Sequence, residues 1–207
     1  MKAIKLLQEK GLVRVVGPLP DRPRLAMLAW ARKPPKHPFR AFVSLNNQLS
    51  ANTLSVFVDD LCAMVTLQRS HVEQAKFNEQ YKRFFSDLGC KTVFSREMLG
   101  CDEHRLVLDK VMQFASRVSF SAFIQTLPGH KKRIMQDLNM GELLHGVIEL
   151  MCLEEIAKCV DGIVMGEMSL AIAMLHRDIC TKPLSIVAVP HFRNESAVSE
   201  YIRKIES

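Results

Sequence analysis

Leu54-Ser55-Val56-Phe57-Val58-Asp59 is the stretch whose reading decides the fold. It is rich in β-branched and aromatic residues, which places it as a strand, and a central one. Downstream, apolar residues at three- and four-residue steps (Val72, Ala75, Phe77, Tyr81, Phe84, Phe85) predict a helix over 71–88. Gly89 stops it, and Cys90-Lys91-Thr92-Val93-Phe94 reads as a strand. Residues 103–126 carry a helix pattern ended by Pro128-Gly129, and 141–159 form the strongest helix candidate. Strand 161–166, helix 168–178, strand 184–189 and helix 196–205 complete that half. Upstream, 2–10 reads as a helix, 12–16 as a strand, 17–21 as a turn and 23–32 as a helix. The prolines at 34, 35 and 38 argue against a helix over 33–53, leaving Ala41-Phe42-Val43-Ser44 as a short strand. Strands alternating with helices imply parallel βαβ units and a sheet covered on both faces.

Composition sets the class. At 207 residues and 48% hydrophobic content, the chain can bury one α/β core, and no linker divides it into two domains. No apolar run approaches the roughly 20 residues that span a bilayer, and no signal-peptide core follows Met1. A cytoplasmic, non-membrane protein is the expectation. The six cysteines, at 62, 90, 101, 152, 159 and 180, form no Cys-x-x-Cys pair, and no histidines stand at zinc spacing. Free thiols and no metal are expected. The formal charge of +6 permits an RNA or acidic partner without requiring one. Basic residues gather in Arg32-Lys33-Pro34-Pro35-Lys36-His37-Pro38-Phe39-Arg40 and His130-Lys131-Lys132-Arg133.

The order of elements, with a helical insertion at about 103–140, resembles the Rossmann-like domain of class I tyrosyl-tRNA synthetases of eukaryotic and archaeal type. Val15-Val16-Gly17-Pro18-Leu19-Pro20-Asp21-Arg22-Pro23-Arg24-Leu25-Ala26-Met27 resembles the family's first strand and signature turn. Val56-Phe57-Val58-Asp59-Asp60-Leu61-Cys62-Ala63 resembles its second strand, and Leu143-Leu144-His145-Gly146 through Asp161 its tyrosine-binding helix. Leu106-Val107-Leu108-Asp109 through Lys132 resembles the connective helices that pair two subunits. The resemblance covers about the whole of residues 1–207 as one domain, with no anticodon-binding domain.

The same resemblance implies a site whose polar groups are gone. The signature histidines fall on Arg24 and Met27, while Gly17 is kept. The tyrosine-reading residues fall on Val147, Met151 and Glu154, of which only Glu154 keeps a charge. After the strand at 161, Gly166 survives, and Glu167 stands where the family has an aspartate. Nothing after Pro190 resembles the family's mobile Lys-Met-Ser-Lys-Ser loop. A remnant pocket would be lined by Gly17, Asp21, Arg24, Asp60, Glu154, Gly166 and Glu167, with no catalytic residue.

Three functions follow. The first is a catalytically silent domain, similar to the degenerate half of tandem kinetoplastid enzymes. It would dock on a catalytic synthetase-like domain, or on its own copy, through Phe120, Phe123, Ile124 and Leu127, and would bind no cofactor. The second is an ATP-dependent adenylating enzyme with a remodelled site; Ser119, Ser121 and Cys62 have no identifiable base for any other covalent chemistry. The third is an RNA-binding module, with tRNA contacts from Lys33, Lys36, Arg40, Lys131, Lys132 and Arg133.

Overall fold

Each central strand sends alternate side chains into two separate cores. The structure is a computed structural model that describes residues 2–31, 34–35, 38–67, 69–100, 109, 112–113, 140–166, 173, 176–178 and 182–207. In chain order, its elements are α1 (Lys2–Glu9), β1 (Arg14–Val16), β2 (Leu25–Trp30), α2 (Pro38–Leu49), β3 (Ser55–Asp59), α3 (Asp60–Leu67) and α4 (His71–Asp87). There follow β4 (Lys91–Phe94), α5 (Ser95–Leu99), α6 (Met140–Cys159), β5 (Gly162–Gly166), β6 (Ser185–Val189) and α7 (Glu195–Glu206). The sheet order is β1-β6-β5-β2-β3-β4. All neighbours are parallel except β1, which lies antiparallel on β6 with Val15 opposite Val187. The α/β architecture with a helix-flanked, Rossmann-like sheet is therefore as expected, with the addition of an antiparallel edge. The helical insertion expected at 103–140 lies almost wholly outside the described residues.

One core takes Ala26, Phe57, Ile163, Met165 and Ile186 from the sheet, beneath α3, α5 and α6. The other takes Met27, Val56, Val58, Val164 and Val187, beneath α1, α2, α4 and α7. In the second core, Phe39 of α2 packs its ring 5.2 Å from that of Phe85 on α4.

Two local expectations fail, for separate reasons. Leu25–Trp30 is a strand, not part of a helix over 23–32. Leu, Ala and Met favour helix, but parallel partners on both edges bury Leu25, Ala26, Met27 and Ala29 to 1% exposure or less. Burial on that scale overrides intrinsic propensity. Residues 41–44 are helical, inside α2. Pro38 does not exclude that helix but begins it, because a first-turn residue needs no N–H partner. In α4 the buried stripe is Gln74, Asn78, Tyr81 and Phe85, whereas Val72 is 68% exposed. Ser70 caps that helix, accepting from Glu73 N at 3.3 Å while the Glu73 carboxylate accepts from Ser70 N.

Candidate functional site

The chain runs from β2 outward to β3 and β4, then returns to the other side of β2 for β5 and β6. That reversal makes a switch point between β2 and β5. Open α/β sheets bind ligands there, beyond the carboxyl ends of the strands. In this chain those ends are Ala31, the Asp59–Asp60 junction, Gly166 and Val189. The connection that leaves β2 at the switch point leads to α2, which begins at Pro38. By sequence that connection contains Lys33, Lys36 and His37, all outside the described residues. Residues 17–24 of the stretch that resembles the signature turn precede β2 and lie at the opposite, amino end of the parallel strands.

Beside this point the dominant feature is a buried polar network centred on Asp60. Its Oδ1 accepts from Ser95 Oγ at 2.8 Å and Arg96 N at 3.2 Å. Its Oδ2 accepts from Arg96 Nε at 2.7 Å and Asn78 Nδ2 at 2.8 Å. Four donors saturate a carboxylate. Asp60 is completely buried, and the network consumes its capacity to hold a ligand. The chain of bonds continues: Gln74 Nε2 donates to Asn78 Oδ1 at 2.8 Å, and Arg69 Nη1 reaches Gln74 Oε1 at 3.3 Å and the Ala31 carbonyl at 2.6 Å. Arg69 also lies over the Phe77 ring at 3.9 Å. The network ties the end of β2 to α3, α4 and α5. Of its members, only Asp60 stood out in the sequence. The signal for Gln74 and Asn78 was there, as two amides on the same helical stripe as Tyr81 and Phe85.

In the core beneath α3, α5 and α6, Val147 and Met151 of α6 are 4% and 7% exposed. They share a core with Phe57, Leu61 and Cys62. Glu154 is half-buried on the same helix. It lies near enough to His176 that its charge favours the protonated imidazole, although burial pulls the other way and lowers the pKa of His176 to about 4.

Gly17, Asp21 and Arg24 are not brought to this region. β1 meets β6 antiparallel, which puts Gly17 at the amino ends of the parallel strands. There a β-carbon on Gly17 would meet the Arg177 guanidinium, 2.9 Å from its Cζ. Arg24 directly precedes β2 and clasps Asp161, the residue before β5: its N donates to Oδ2 at 2.8 Å and its Nη2 to Oδ1 at 3.1 Å. These bonds hold the Asp161 carboxyl below its usual range. Asp21 is exposed in the β1–β2 loop. Gly166 does end β5 at the carboxyl side, and a β-carbon there would touch nothing within 4 Å among the described residues. Arg40 is exposed in the first turn of α2. Glu167, Lys33, Lys36, Phe120, Phe123, Ile124, Leu127, Lys131, Lys132 and Arg133 lie outside the described residues.

Among the described residues, no group of three or more His, Cys, Asp or Glu side chains could hold a metal. Nor is any helix among them long and apolar enough to cross a membrane.

No family model matches the chain, and no curated protein matches it. Solved structures do. Tyrosyl-tRNA synthetase from Archaeoglobus fulgidus, complexed with L-tyrosine, superposes with a TM-score of 0.64 at 17% identity over 91% of this chain. Tryptophanyl-tRNA synthetase from Aeropyrum pernix K1 gives 0.60 at 10% identity over 90% of this chain, and that from Plasmodium falciparum 0.55 at 11% over 80%. The chain spans 58%, 63% and 51% of those three proteins' lengths. At these identities the likeness is one of fold: the chain has the Rossmann-like fold of the tyrosyl- and tryptophanyl-tRNA synthetase domain.

Proposed function

We propose that this chain is a synthetase-fold domain that has lost adenylate chemistry and serves as a structural partner in tRNA aminoacylation. Its partner is a catalytic tyrosyl-tRNA synthetase-like domain or a second copy of itself. The observation that carries this reading is the burial of Val147 and Met151 at 4% and 7% exposure, in the positions where the resemblance puts substrate-reading polar groups. A pocket that selects an amino acid by its hydroxyl needs buried hydrogen-bonding partners, and valine and methionine supply none. The saturated carboxylate of Asp60 supports the same reading. The test is ATP–pyrophosphate exchange with tyrosine and with tryptophan. The expected result is exchange at the blank rate with both, and measurable exchange with either overturns the reading. Light scattering after size exclusion, with and without a catalytic synthetase, tests the pairing.

One observation favours the second reading, an adenylating enzyme with a remodelled site. In the sequence, Lys33, Lys36 and His37 come directly before α2, which begins at Pro38. Cations and a helix N-terminus together suit a phosphate chain. In that case exchange is present, requires ATP, and is lost in His37→Ala.

A further inference from the structure

At the amino ends of the parallel strands, opposite the switch point, three chain segments surround a cavity of about 400 Å³. They are the β1–β2 loop, the end of α6 and the residues leading into β6. The volume falls in the range that holds a small organic molecule. Leu19, Val160 and Leu184 give it hydrocarbon walls, and Pro18 and Pro183 contribute no backbone N–H. The Ser185 hydroxyl is already committed to the Pro18 carbonyl oxygen. Asp161 also lines the cavity, but both its oxygens accept from Arg24, so its charge is matched. The C-terminus of α6 adds about half a negative charge. Against that stands the full positive charge of Lys182, exposed at the rim. The balance is a net positive rim over an apolar hollow, which suits an anion with a hydrocarbon body.

We propose that this cavity binds a small apolar carboxylate, its chain against Leu19 and Val160 and its carboxylate on Lys182 Nζ. The source is a free carboxylic acid or the C-terminal carboxylate of an apolar peptide. The site is independent of whether adenylate chemistry survives. The purified chain is titrated with sodium octanoate and with acetyl-Gly-Leu, and the methyl resonances of Leu19, Val160 and Leu184 are followed by NMR. Saturable shifts confined to those methyls are expected with at least one probe, and the tighter of the two identifies the source. Octanol should bind roughly tenfold more weakly than octanoate or worse, since it loses a charge-assisted hydrogen bond. Lys182→Glu should weaken binding by a similar factor and Lys182→Arg should retain it; the residue is exposed, so both variants fold. Any of four results overturns the proposal: no saturation with either probe, shifts centred elsewhere, octanol or octylamine binding as tightly as octanoate, or no effect of Lys182→Glu.

Discussion

Arg177 lays its guanidinium over the α-carbon of Gly17, so closely that a β-carbon there would lie 2.9 Å from Arg177 Cζ. Gly17 has φ of 91°, in the left-handed region that side chains avoid. From this position Arg177 Nη1 donates to the Leu184 carbonyl, joining the turn after β1 to the lead into β6. Gly17→Ala should therefore lose about 1–3 kcal/mol from backbone strain and overlap together. Urea denaturation measures it. Arg177→Ala in the same background removes the overlap and leaves the strain, so it should restore only part of the loss. Complete restoration would show that the backbone angle costs nothing.

Asp60 and Arg96 meet at 2.7 Å, with the carboxylate wholly buried and the arginine side chain 23% exposed. Removing one partner of such a pair strands the other, so Asp60→Ala should cost about 3–5 kcal/mol. Ser95→Ala, which deletes one neutral donor among four, should cost about 1–2 kcal/mol. A double-mutant cycle on Asp60 and Arg96 should give a coupling energy above 1 kcal/mol. Additivity within error would mean that the network is not a unit.

The parts of the fold that could be read from sequence were those where local pattern and burial agree. β3, β5 and β6 are short apolar runs buried from both sides, and α4 and α6 carry apolar residues at helical spacing. β2 was misread because Leu25-Ala26-Met27-Leu28-Ala29-Trp30 is helix-favouring in composition, and only its two parallel neighbours make it a strand. With that run read as a helix, the candidate residues Gly17, Asp21 and Arg24 come from the amino end of the sheet, beside the antiparallel edge strand β1. Asp60 could be read as special but not as satisfied. Its donors Asn78, Ser95 and Arg96 come from separate elements, and no sequence spacing connects them.

His176 is 1% exposed, and neither ring nitrogen has a hydrogen-bond partner among the described residues. Burial lowers its pKa from 6.5 to about 4, with the positive charge of Arg177 acting in the same direction and Glu154 opposing. The unfolded chain binds this proton more readily. Stability is therefore full above about pH 6.5, falls as the pH drops, and levels off near pH 4, with a total loss of about 3 kcal/mol. The Asp161 carboxyl, held low by Arg24, loses its contribution only below that window. Urea midpoints from pH 7.5 to 4 should fall for the native chain and stay flatter for His176→Leu. Equal slopes would place the effect on other groups.

Thiol reactivity should follow burial. Cys159 is exposed at the end of α6, whereas Cys62 and Cys152 are buried in the core. Burial, with the charges of Asp59 and Glu149 added, raises the pKa of Cys152 well above the ordinary value, and burial pushes Cys90 up to about 11. Mass spectrometry after brief iodoacetamide treatment at pH 8 should find Cys159 alkylated and Cys62 and Cys152 unmodified until denaturant is added. Rapid alkylation of Cys152 would mean that α6 opens readily from the sheet.

The sharpest test of a site converted to core is Met151→Gln. Glutamine is close to methionine in length, so it fits the same space and changes mainly the chemistry. Met151 packs among Leu61, Cys62 and Val147, and a buried amide there without a partner should cost about 1–3 kcal/mol. The variant should show a lower Tm than the native chain and no rise in Tm on adding tyrosine. A ligand that binds only the folded state raises Tm by mass action, so even weak tyrosine binding is visible at high ligand concentration. If Met151→Gln is as stable as the native chain, or gains a tyrosine-dependent shift, residue 151 borders polar, accessible space. The region beneath α6 would then be a pocket that has changed its substrate.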